Sequence, residues 1–163
     1  MHILPAMPGE ALLLGIATIS VAVAGFTAVT STLVPPGGTW HPAMRIRQRA
    51  IVSTSFNVMF EALAPLIVFA GTGETRTSVA VASAGVALYA TGIVVWRGRQ
   101  ILAAGGTRTR IAFVLFALGP TAALLFWINA LAFASVAVYA LALCIQLSVA
   151  VVSFYSLVSA AQS

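Results

Sequence analysis

The sequence contains no lysine and no aspartate, a single cysteine (Cys144), two histidines (His2 and His41) and only three glutamates. Each shortage excludes chemistry. Without lysine there is no retinal or pyridoxal Schiff base and no phosphate-binding loop built on a lysine. Both histidines lie outside the apolar segments, so neither a haem held by paired histidines inside a bilayer nor an H-E-x-x-H zinc site can be assembled. One cysteine closes no intrachain disulfide and says nothing about redox compartment. With a solitary glutamate as the interior acid, no nucleophile–base pair and no metal site come together within one chain. The expectation is a protein that is not an enzyme, with no cofactor and no metal.

Charge itself is scarce. Eight arginines and three glutamates make 7% of the 163 residues, against about 25% in a soluble domain. Hydrophobic residues make up 61%, and the mean hydropathy is +1.06. Such a surface could not be kept wet, and a disordered chain needs the opposite composition. The chain reads as an integral membrane protein. A net charge of +5 does not point to nucleic acid, because the arginines sit at helix ends instead of forming a basic stripe interleaved with aromatics.

A spanning helix needs about 20 mostly apolar residues. Candidate spans cover 10–34, 50–70, 78–97, 110–130 and 135–158, giving one all-α transmembrane domain over 1–163. Pro35-Pro36-Gly37-Gly38 ends the first, and a polar segment over 39–49 follows it. The short turn-like stretch 71–77 makes helices two and three a tight hairpin, with Thr77 or Ser78 as the cap. The uncharged run 111–158 has 48 residues and would be roughly 72 Å long as one helix, so it must fold back. The turn is placed near 129–135, although neither Gly nor Pro marks it. Five helices result, with four as the alternative. Gly119-Pro120 falls within helix four and kinks it without ending it.

Seven arginines fall in two connections: Arg45, Arg47 and Arg49 before helix two, and Arg97, Arg99, Arg108 and Arg110 between helices three and four. The positive-inside rule makes that side cytoplasmic and the N-terminus external. Trp40 and Trp96 then fall near the inner interface and Trp127 near the outer one. Residues 1–9 lack the basic leader of a secretory signal, so the first apolar run is read as a retained helix. Beyond setting topology, the arginines can contact anionic lipid headgroups.

Glu61 stands near the centre of helix two, where an acid costs roughly 2.5 to 3.5 kcal/mol on insertion scales. Asn57, Ser53 and Arg49 precede it at four-residue steps, each drifting by about 40°, so they form one stripe from the arginines towards mid-membrane. Pro65 leaves the Glu61 carbonyl without its helical donor. One reading makes the stripe an ion or proton track; the other makes Glu61 a hydrogen-bonded packing group. Thr27, Thr30 and Ser31 on helix one, and Asn129 and Gln146 on helices four and five, are further polar groups. They either bond their own backbone or a neighbouring helix, or line a path. Helix three is rich in small residues: Ser83, Ala87 and Thr91 recur at steps of four, and Gly85 and Gly92 lie a heptad apart. Such faces allow close helix approach, favouring self-association.

The run Trp40-His41-Pro42-Ala43-Met44-Arg45-Ile46-Arg47, leading into helix two and then Ala62-Leu63-Ala64-Pro65-Leu66, resembles a family of small, uncharacterised bacterial polytopic membrane proteins with a W-x-P-x-x-R-x-R lead into the second helix. The likeness covers the first connection and helix two best, and Ile128-Asn129-Ala130-Leu131 less well. It implies bacterial origin and a multi-pass protein of the cytoplasmic membrane, and it carries no activity. Two functions fit these residues: a small oligomeric ion or proton channel lined by Ser53, Asn57 and Glu61, or a non-catalytic accessory or scaffold subunit of a larger membrane complex.

Overall fold

The structure, a computed structural model, describes residues 6–32, 42–103 and 110–161, with side chains over 6–29, 48–96, 99 and 117–155. The described residues form a bundle of five α-helices: α1 (Glu10–Thr32), α2 (Pro42–Thr72), α3 (Thr75–Ala103), α4 (Arg110–Ile128) and α5 (Val136–Ala161). Four of them carry segments long and apolar enough to cross a membrane: Glu10–Val29, Gln48–Thr72, Thr75–Trp96 and Val136–Tyr155. The apolar stretch described in α4 and the turn after it, Ala117–Phe133, is shorter. Large apolar side chains cover the outside, among them Phe26, Ile67, Leu88 and Leu131. In water such a surface would be expelled, so the shape is that of a multi-pass, all-helical membrane protein.

α2 and α5 form the centre. α1 packs into the groove between them, while α3 and α4 lie on the other side, α3 against α2 and α4 against α5. The shared core contains Leu13 of α1, Val58 and Ala62 of α2, Phe126 of α4, and Tyr139 and Leu143 of α5. Phe126 and Tyr139 meet edge to face with ring centroids 5.1 Å apart, a favoured aromatic geometry.

The helix ends show where residue chemistry decides the chain path. α2 starts at Pro42, eight residues before the expected boundary, because proline lacks an N–H and suits the first turn of a helix. Arg45, Arg47 and Arg49 therefore lie on its first turns and not in a loop. At the other end Gly73 takes a left-handed φ of 69° and donates to the Phe69 carbonyl at 2.8 Å. α3 then begins at Thr75, ahead of the expected caps. Glu74 holds the cap position instead: its carboxylate accepts from Thr77 Oγ1 at 2.6 Å and its carbonyl from Ser78 Oγ at 2.6 Å. α4 continues through Pro120.

The reversal between α4 and α5 falls at the expected residues without glycine or proline. Asn129–Phe133 form one π-helical turn, and Ala134 adopts a left-handed φ of 47°. Asn129 makes this possible, since its carbonyl accepts from Ala134 N–H at 2.7 Å and its side-chain oxygen from Ser135 N–H at 2.9 Å. Two groups of one residue satisfy backbone donors that the turn would otherwise orphan. Near the same end, a Cβ on Gly9 would stand 2.5 Å from Val136 Cγ1, so the start of α1 closes against the start of α5 only through glycine.

Candidate functional site

The row from Arg49 to Glu61 does not keep one face towards the bundle interior. Arg49 and Ser53 lie on the outer surface, Asn57 is half-buried, and Glu61 is 7% exposed. The drift of about 40° per step carries the row around α2, from the surface into the seam with α3. There Asn57, Phe60, Glu61 and Ala64 of α2 face Gly85, Val86 and Tyr89 of α3 across a groove of about 270 Å³. The groove opens outwards: Phe60 is 63% and Tyr89 49% exposed. Ser53, Asn57 and Glu61 are thus neighbours along α2, but they do not converge on an internal cavity.

Glu61 is tied to α5 through its backbone. Pro65 has no N–H to offer the Glu61 carbonyl, and its ring crowds that oxygen out of the helical ladder. Tyr139 Oη donates to the freed carbonyl at 2.6 Å. Tyr139 is fully buried, so its own hydroxyl also requires this partner. The proline that orphans the acceptor and the tyrosine that satisfies it are therefore one device, holding α2 to α5 at the level of Glu61. Sequence reasoning finds the orphan through Pro65. It could not find Tyr139, which lies 78 residues away.

The Glu61 side chain is less well provided for. Gln146 of α5 approaches the carboxyl as its polar neighbour. Oε2 is buried with no hydrogen-bond partner among the described residues, a condition shared only with Ser55 Oγ. Buried polar oxygens nearly always have partners, and an intramembrane carboxyl more than most.

The remaining polar candidates serve the bundle itself. Thr27 Oγ1 donates to the Val23 carbonyl at 2.8 Å, and Ser20, Thr18 and Thr121 make the same bond to the residue four before them. Thr30 and Ser31 lie in the last turn of α1, and their side chains fall outside the described residues, as do those of Arg45, Arg47, Arg97 and Arg110. Arg108 and Trp40 lie wholly outside them. Chain reversal between α2 and α3 nonetheless gathers the positions of Arg45, Arg47, Arg49, Arg97 and Arg99 at one end of the bundle, with Glu74 and Arg76 at the other. Asn129, fully buried, donates through Nδ2 to Ser83 Oγ at 2.8 Å. Trp127 Nε1 donates to Thr91 Oγ1 at 3.1 Å, so the indole's polar edge is used within the bundle. The Ser83–Ala87–Thr91 row is therefore the seam to α4 of the same chain. Gly85 and Gly92 face outwards, and a Cβ on either would meet nothing within 4 Å.

Among the described residues no three His, Cys, Asp or Glu side chains gather as metal ligands. The chain matches no protein-family model, no curated protein and no solved structure. Geometry alone carries the functional reading.

Proposed function

We propose that the protein is a non-catalytic accessory or scaffold subunit of a larger membrane complex, and that its outer α2–α3 face docks against another membrane helix. The observation that carries this reading is the buried, unpartnered Oε2 of Glu61 beside a groove that opens outside the bundle. In a bilayer the missing partner must be protein or a water-filled space, since lipid tails offer no hydrogen bond. Gly85 in the groove and Gly92, a heptad further along the outward side of α3, leave room for a helix backbone to approach. The arginine-bearing end supplies orientation and contact with anionic headgroups, and by the positive-inside rule it faces the cytoplasm.

A single-chain channel fits these observations less well. Tyr139, Phe126, Leu143 and Val58 fill the centre, and Ser53 of the polar row stands on the outer surface. A pore lined by this row would need several copies arranged with their α2–α3 faces around an axis.

Gentle detergent extraction of the full chain, followed by mass measurement of the intact assembly, separates the two. The expected result is a stoichiometric hetero-complex that Gly92→Leu dissociates while the subunit itself stays folded. A pure homo-oligomer would overturn the subunit reading. If that homo-oligomer also conducts ions in liposomes and Glu61→Gln changes its conductance, the channel takes its place.

A further inference from the structure

Resting on the subunit reading, we infer that the α2–α3 groove receives one basic side chain, a lysine or arginine borne at mid-depth on a transmembrane helix of a different protein. Three observations converge on this occupant. Glu61 is nine-tenths buried with an unpartnered Oε2, and the side chain that hydrogen-bonds its carboxyl, Gln146, is an amide that cannot balance a carboxylate's charge. The groove, about 270 Å³ and open outwards between α2 and α3, has room for a single long side chain. Its rim is made of Phe60 and Tyr89, whose ring faces attract a cation and whose apolar surface packs the methylene stem that carries it.

The cation cannot come from this chain or from a second copy of it. The sequence has no lysine. Arg49, the nearest arginine on α2, lies twelve residues before Glu61, about 18 Å along the helix. Among the described residues the other arginines of α2 and α3 lie outside the apolar spans or beside their ends, and the span facing the groove from α3, Thr75–Trp96, contains only Arg76 beside its first residue. Self-association would thus leave Glu61 without a counter-charge, whereas a foreign helix with one basic residue supplies one where low dielectric makes the attraction strong. Gly85, with open space where a Cβ would stand, lets that helix come close enough for the side chain to reach across.

The test uses the full-length protein, labelled and reconstituted in lipid vesicles, with synthetic single-span leucine–alanine helices carrying Lys, Gln or Leu at the midpoint. Association is read by energy transfer. The Lys helix should bind roughly tenfold more tightly than the Leu helix, equivalent to about 1.4 kcal/mol, with the Gln helix between them. Glu61→Gln should bring the Lys helix down to the Gln level. Gly85→Leu, which fills the groove and leaves the carboxyl intact, should abolish the preference by a second route. Equal binding of the Lys and Leu helices, or a Lys preference that survives Glu61→Gln, would overturn the inference. A native hetero-complex that forms equally well with Glu61→Gln would overturn the pairing while leaving the subunit reading standing. A chain found only as homo-oligomers would overturn both.

Discussion

Replacing Tyr139 by phenylalanine removes one oxygen atom and tests the link between α2 and α5. The ring stays in place, so the edge-to-face contact with Phe126 survives. What is lost is the 2.6 Å hydrogen bond to the Glu61 carbonyl. That carbonyl has no second donor along its own helix, because the residue four positions on is Pro65. In water-soluble proteins an orphaned buried acceptor costs about 1 to 3 kcal/mol. Interhelical bonds inside membranes are worth less on average, about 0.6 kcal/mol with a maximum near 1.7. The Glu61 carbonyl belongs at the upper end, since the proline denies it the alternative partner that most membrane acceptors find. The expected loss is about 1.5 kcal/mol, read as a shift in the unfolding midpoint when the purified protein is titrated with a denaturing detergent in mixed micelles.

The sharper form of the test is a cycle with Pro65→Ala. Alanine restores the N–H that closes the helical bond to Glu61, so the tyrosine hydroxyl becomes dispensable. Tyr139→Phe should then cost under about 0.5 kcal/mol in the Pro65→Ala background, leaving a coupling of about 1 kcal/mol between residues that belong to different helices. Packing lost with the buried proline ring cancels in the cycle. If Tyr139→Phe costs the same in both backgrounds, the tyrosine is a packing residue and the account of Pro65 as the source of the orphan is wrong.

Two further substitutions probe the reversal after α4. Asn129→Leu removes the bond to Ser83 and the cap on Ser135 together, and should destabilise by about 2 to 3 kcal/mol in the same detergent titration. Ser83→Ala should cost less, because it leaves the cap intact; equal losses would count against the capping role. Ala134→Gly relieves a left-handed residue with φ of 47° and should stabilise by about 0.5 to 1 kcal/mol. A loss of stability there would mean the methyl group contributes packing that outweighs its backbone strain.

What the sequence made legible was whatever depends on one residue and its near neighbours. The turn-like stretch 71–77 separates α2 from α3, and the length of the run 111–158 forces a reversal at 129–135 even without a glycine, while Pro35-Pro36 lie outside the described residues. The Glu61 carbonyl could be identified as an orphan from Pro65 alone. Its partner could not, because Tyr139 looks like any aromatic on an apolar helix until α5 is laid against α2. The same limit applies to Asn129 with Ser83 and to Trp127 with Thr91, whose pairing depends on the vertical register of α3 and α4. Boundaries at α2 were missed for a different reason. Pro42 and the arginines after it look polar and loop-like, yet proline in a first turn and arginine in a helix are both favourable.

The polar row on α2 shows most clearly why periodicity alone cannot choose between a pore and a docking face. In a soluble protein the polar side of a helix faces solvent and the apolar side marks the core, so a stripe implies an inside. In a bilayer both the core and the lipid are apolar, and a polar stripe implies only that something other than lipid must cover it. The same four-residue spacing serves a channel if the stripe turns inward and a docking seam if it turns outward. The angular position of the large residues around the stripe bears on that choice. On α2, Ile51, Val58 and Ala62 are buried with Pro65 and Phe69, while Phe60 and Ile67 lie outside. Glu61 sits about 100° from Ala62, at the margin of the buried arc and not at its middle. A carboxyl placed there lies between Gln146 of α5 and the α2–α3 groove, and on the reading proposed above a neighbour approaching past α3 would meet it at that margin.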